Sequence, residues 1–324
     1  MKTPILVPTT DAALPATAPA GRAKPSRFTV WWLAARPKTL PAAATPVLVG
    51  TACAAAAGGF RLVPALAALL GALLLQIAAN LANDVFDFEQ GADTEARSGP
   101  TRVVQAGWVS PREMRVALVG VLALAVLVGA YLVSVSGPAL IAIGLVSAMA
   151  AVAYTGGPYP LGYHGLGDVC VFAFFGVVAV AGTAFVQLGH VPSSAWLASL
   201  PVGCLATAIL VVNNVRDADT DRLAGKRTLV VRFGRTFGLW EYRALTILPY
   251  LLPVYWAIRD QRVIALIPCL SAPLAFTLGR RLERERGPAL NPVLARTALL
   301  LLVFGVLLTV SIALGAGSWP TSVH

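Results

Sequence analysis

LVPALAALLGALLLQIAANLANDVFDFEQGAD, residues 62–93, starts as an apolar run and ends in a cluster of amides and carboxylates. If the helix that the run predicts continues through the cluster, Asn80, Asn83, Asp84 and Asp87 fall at i, i+3, i+4 and i+7 and share one face. A second apolar run ends the same way, in Asn213, Asn214, Asp217 and Asp221, where 214, 217 and 221 repeat the i, i+3, i+7 spacing. Two acidic stripes in so apolar a chain need a cation between them, because ionisable groups at membrane helix ends are too costly to be incidental.

The 324 residues are 57% hydrophobic and only 12% charged, with a mean hydropathy of +0.74. A soluble domain carries roughly a quarter charged residues, so the composition predicts an all-α, polytopic membrane protein. Apolar segments lie at about 39–58, 62–86, 114–134, 138–154, 168–188, 194–215, 238–258, 262–279 and 293–315. Each is near the ~20 residues that cross a bilayer as a helix, and about nine transmembrane helices are expected.

A net charge of +10 would suit nucleic acid as well as a membrane, and its placement decides. Across those segments, 22 of the 25 Lys and Arg fall on one side and only Arg61, Arg259 and Arg262 on the other. Positive residues stay cytoplasmic. The expectation is therefore a multi-pass protein of the cell's inner (cytoplasmic) membrane, embedded in the lipid bilayer, with both stripes and the active site facing the cytoplasm and no nucleic-acid partner. Residues 1–26, rich in Ala, Pro and Thr without an apolar core, read as a disordered cytoplasmic tail, leaving 27–324 as a single transmembrane domain. Cys53, Cys170, Cys204 and Cys269 sit inside predicted helices at no metal-ligand spacing and read as core residues. Each stripe follows the second helix of a four-helix set. Two related halves, about 27–167 and 168–290, with an extra helix at 293–315, are thus expected around a central cavity.

Crowded carboxylates repel unless a metal holds them ionised. Hard oxygen donors select Mg²⁺, which binds through a few carboxylates plus substrate phosphates. The candidate ligands are Asn83, Asp84, Asp87, Asp93, Asn214, Asp217 and Asp221. Arg36, Lys38, Arg97, Arg102 and Lys226, with Asn80 on the stripe, lie on the same side and would meet a diphosphate, whose oxygens carry more charge than one divalent ion neutralises. Interfacial anchoring is the competing reading of Arg36 and Lys38. The loop YTGGPYPLGYHGLGD, residues 154–168, holds no Lys or Arg although the charge rule makes it cytoplasmic. Tyr154, Tyr159 and Asp168 are candidates to line the cavity, with an interfacial tyrosine belt as the alternative. Asp217, Asp219 and Asp221 do not form an EF-hand loop, since Arg222 and Thr228 stand where Gly and Glu are required.

These residues resemble the intramembrane aromatic prenyltransferases of the UbiA superfamily: the first stripe is similar to their Asn-Asp-x-x-Asp motif and the second to their Asp-x-x-x-Asp motif. More narrowly, RPKTLP at residue 36, NLANDVFDFEQGAD…GPTRVVQAG, YTGGPYPLGYHGLGD and NNVRDADTDRLAGKRTLVVRFG resemble the 1,4-dihydroxy-2-naphthoate polyprenyltransferases of menaquinone synthesis, in order over about residues 30–235. Two departures stand out: Asp93 lies two residues beyond a simple Asp-x-x-x-Asp, and Asn214 stands where many members carry an acid. The resemblance implies Mg²⁺-dependent transfer of a polyprenyl group from polyprenyl diphosphate to 1,4-dihydroxy-2-naphthoate with decarboxylation, giving demethylmenaquinone, pyrophosphate and CO₂. It implies catalytic roles for Asp84, Asp87, Asp217, Asp221 and Tyr154, with Lys38, Arg102 and Lys226 adding charge at the diphosphate. Prenylation of homogentisate or 4-hydroxybenzoate is the nearest alternative. A cation-coupled transporter is further off, because these acids sit at helix ends beside basic loops and not at the midplane.

Overall fold

The computed structural model describes residues 25–92 and 99–315. Almost all of the expected tail 1–26, together with Asp93 and Arg97, lies outside the described residues. Every apolar segment read from the sequence is helical, and no strand occurs among the described residues.

Helix α1 (Arg27–Ala35) is capped by Ser26, whose Oγ accepts from the Thr29 N–H. It exposes Phe28, Trp31 and Trp32, the amphipathic entry expected at a membrane interface. Arg36, in the left-handed region at φ 51, separates it from α2 (Leu40–Ala56). Next comes α3 (Leu62–Glu89), followed by α4 (Pro111–Ser136), which opens in a Ser110–Glu113 capping box, and α5 (Ala139–Ala153). The chain continues in α6 (Gly167–Val171), which passes through π-helical turns at Phe172–Val178 into α7 (Ala179–Leu188). Beyond α8 (Ser193–Leu223) come the short α9 (Leu229–Phe233), α10 (Arg235–Ile247) and α11 (Leu251–Arg259). The chain closes with α12 (Ala272–Arg284), entered through a 3₁₀ stretch, and α13 (Asn291–Leu314).

Among the described residues, seven helical stretches are long and apolar enough to cross a membrane, and α5 is a shorter apolar helix. The seventh apolar segment, 238–258, is divided between α10 and α11 by a 3₁₀ turn at Leu248–Tyr250, where Pro249 removes a backbone donor.

Helix α8 is the centre of the molecule, buried along most of its length and packed by α2, α10, α13 and the π-helical turns. Small residues allow these close approaches: a Cβ on Gly176 would come within 2.6 Å of the Gly203 Cα. A second core lies where α3 and α4 close over the turn that carries Val103 and Val104. The two helices that bear the stripes are also the long ones, 28 residues for α3 and 31 for α8. Both exceed the ~20 residues that span the hydrocarbon, so the surplus turns at their C-terminal ends carry the polar residues out of it.

Candidate active site

Asp87, 2% exposed, is the point on which several segments converge. Its Oδ2 accepts from Arg102 Nη2 at 2.6 Å, and its Oδ1 accepts from the Tyr163 hydroxyl at 2.8 Å and from Lys226 Nζ at 3.1 Å. Lys226 Nζ is also 3.8 Å from Asp221 Oδ1 and lies 4.6 Å from the centre of the Tyr163 ring. One ammonium group therefore joins the end of α3 to the end of α8. Gly225 makes this possible: its φ of 74 reverses the chain after α8, and the Lys226 N–H donates back to the Asp221 carbonyl at 2.9 Å.

The other two motif acids turn elsewhere. Asp84 accepts from the backbone N–H of Val103 at 3.2 Å and of Val104 at 3.1 Å, capping the turn that presents Arg102 to Asp87. Asp217 is gripped by its neighbour Arg216, Nε to Oδ1 at 2.8 Å and Nη2 to Oδ2 at 2.6 Å. Among the described residues no three His, Cys, Asp or Glu side chains converge closely enough to hold one ion. Asp87 and Asp221 meet on Lys226, whereas Asp84 faces two backbone amides and Asp217 faces Arg216. Asn214 is buried beside Asp217 on α8.

Asn83 Oδ1 accepts from the Thr155 hydroxyl at 2.8 Å, which brings the end of α5 to the first stripe. Deeper on α3, Asn80 donates to the Ala35 carbonyl at 3.0 Å and to Thr39 Oγ1 at 3.1 Å, and Gln76 donates to both Thr39 and Asn80. Tyr154 is wedged between glycines: a Cβ on Gly162 would lie 3.0 Å from its ring, and one on Gly167 would lie 2.9 Å from its hydroxyl. That packing explains two of the glycines in the 154–168 loop. Valine at 167 is expected to displace the ring and cut turnover by about 10²-fold, the cost of a misplacement near 1 Å. Steady-state kinetics with an unchanged circular dichroism spectrum checks this. Asp168 is buried, and its Oδ1 has no hydrogen-bond partner among the described residues.

Other candidates stand apart. Tyr159 is 56% exposed and stacks on His164 at 3.7 Å, and Lys38 is exposed at the start of α2. A cleft of about 620 Å³ opens beside the Asp87 cluster, lined in part by Gln90, Tyr163, Gly225 and Arg227. Sequence reasoning missed Arg216 and did not single out Tyr163 among the tyrosines. An arginine lodged inside a helix-borne acidic cluster is a signal that could have found the first. Nothing in the loop's composition separates Tyr163 from Tyr159.

Among the described residues the chain is all-helical, with several helices apolar enough to cross a membrane, and brings two acid-tipped helix ends onto one cationic group. The model of the UbiA prenyltransferase family matches residues 43–300, and the chain belongs to that family. It is similar to the 1,4-dihydroxy-2-naphthoate octaprenyltransferase of Escherichia coli, 39% identical over 88% of this chain and 93% of that one. It is likewise similar to the enzyme of that name from Mycobacterium tuberculosis, 38% identical over 89% and 98%. Its fold matches a solved UbiA homologue from Archaeoglobus fulgidus bound to GPP and Mg²⁺, with a TM-score of 0.62 at 18% identity over 86% of this chain and 99% of that one. An Aeropyrum pernix K1 homologue gives 0.65 at 16% over 82% and 96%. The chain is thus a prenyltransferase.

Proposed function

We propose that the chain transfers a polyprenyl group from polyprenyl diphosphate to 1,4-dihydroxy-2-naphthoate at the cytoplasmic face of the inner membrane. The observation that carries this reading is the Lys226 ammonium held between Asp87 and Asp221. It marks the place where positive charge joins the two stripes, as a diphosphate-binding site requires. The relatives named above support the acceptor.

The donor set fits Mg²⁺: every side-chain donor on the two stripes is a carboxylate or amide group, and the two helix ends already share one cation. Asp87 and Asp221, which already share Lys226, would hold the ion, with Asn83, Asn214 and Asp217 as the further donors the two stripes offer. Mg²⁺ would neutralise the diphosphate and the charge that develops on it as leaving group. Arg102 and Lys226 bind the remaining phosphate oxygens, and Asp84 keeps Arg102 in place through the amides of 103 and 104. As the allylic C–O bond breaks, its electron pair leaves with the diphosphate and the allylic cation is taken up by the electron-rich ring. The new C–C bond forms as CO₂ departs, its bonding pair returning to the ring, so the product leaves as the quinol form of demethylmenaquinone. Tyr154 and Asp168 line the acceptor end.

The test is purified protein in nanodiscs, given radiolabelled geranyl diphosphate, Mg²⁺ and one acceptor at a time. The expected result is a lipid-soluble product and labelled CO₂ from carboxyl-labelled 1,4-dihydroxy-2-naphthoate, with neither formed in EDTA. Product from homogentisate or 4-hydroxybenzoate alone would overturn the choice of acceptor.

A further inference from the structure

We infer that Arg216 is a positioning residue: it fixes the Asp217 carboxylate in the orientation in which Asp217 serves the divalent-cation site. The inference rests on the reading of Asp217 as a cation ligand given above.

Neighbouring residues on a helix do not face one another, so a two-point ion pair between positions 216 and 217 is not what helical geometry supplies. It forms here because the guanidinium is anchored from elsewhere. Its Nη2 also donates to Asn213 Oδ1, one turn back on α8, and its Nη1 donates to Asn291 Oδ1 at 2.9 Å, on the first residue of α13. Four guanidinium N–H groups are thereby engaged. The side chain is 1% exposed.

A buried arginine at this depth is costly unless it is fully paired, and a flat fork is the donor that can lock both oxygens of one carboxylate. A carboxylate has about four lone-pair sites. The fork takes one on each oxygen and leaves the remaining pairs for a cation. Lysine at 216 would offer a point charge with no such orientation. The orientation of Asp217 therefore depends on α13 through Asn291.

Mn²⁺ serves as the probe, titrated against nanodisc-embedded protein in the presence of geranyl diphosphate and followed by the electron paramagnetic resonance signal of the free ion. Arg216→Lys is expected to weaken Mn²⁺ binding about 10–100-fold, the usual cost of losing a group that orients a metal ligand. Asn291→Ala, which cuts only the far anchor, is expected to weaken it in the same direction by less. In an Asp217→Asn background Arg216→Lys should cause no further loss. Wild-type Mn²⁺ affinity in both single variants, with only a lower melting midpoint, would reduce Arg216 to a strut between α8 and α13 and overturn the inference. So would losses that add in the double variant. Failure of the unmodified protein to bind Mn²⁺ with geranyl diphosphate would instead overturn the underlying function. If Arg216→Lys does not fold, Asn291→Ala decides.

Discussion

Asp87→Asn is expected to lower prenyl transfer about 10²–10³-fold, the range measured when one preorganised electrostatic contact at a reacting centre is removed. The carboxylate takes donors from Arg102, Tyr163 and Lys226 at once. An amide of the same shape loses the charge and must turn its NH₂ toward one of those donors. The loss should appear in kcat, with the protein still inserted and helical. Asp219→Asn is the control: Asp219 is exposed near the C-terminal end of α8, 3.6 Å from Arg222, and its loss should leave turnover unchanged. Turnover near wild type in Asp87→Asn would remove Asp87 from the site.

Arg102→Met should produce the largest loss of stability. Arg102 is 4% exposed and its 2.6 Å ion pair with Asp87 is closed to solvent. Removing one partner of a buried pair leaves the other charge under-compensated, here with Lys226 and Tyr163 alone on Asp87, at a cost of up to about 3–5 kcal/mol. For a chain of this size that corresponds to a fall in melting midpoint on the order of 10 °C, measured in nanodiscs by the loss of helical signal. The double variant Arg102→Met with Asp87→Asn should be more stable than Arg102→Met alone, because the stranded charge is gone. An additive double variant would show that Arg102 contributes by packing and not by pairing.

The class of fold was legible from residue types alone: apolar runs mark the helices, and the polar stripes fall at the ends of α3 and α8 that Lys226 joins. Pairing across segments was not legible, because a stripe states a face and not a neighbour. Asp84 and Asp87 are equivalent in spacing, yet the turn at 103–104 covers one edge of the stripe and takes Asp84, while the cleft edge takes Asp87. Arg216 and Asp217 are adjacent, and Asn213 together with Asn291, 75 positions along the chain, holds the guanidinium where it can pair with the carboxylate. The break at Leu248–Tyr250 was written in Pro249, although the apolar run around it masks the signal.

The carboxylates also have an order of assembly. Asp87 finds Arg102 only 15 residues on, and Asp217 finds Arg216 beside it, whereas Lys226 reaches Asp87 across 139 residues. During synthesis α3 can enter the lipid with Asp87 already paired to Arg102, sparing the nascent chain a bare charge in hydrocarbon, whereas the grip of Arg216 on Asp217 is completed only when Asn291 arrives. The contact that joins α3 to α8 forms only once the ribosome has passed Lys226, so a chain stopped before that residue would be inserted yet catalytically silent.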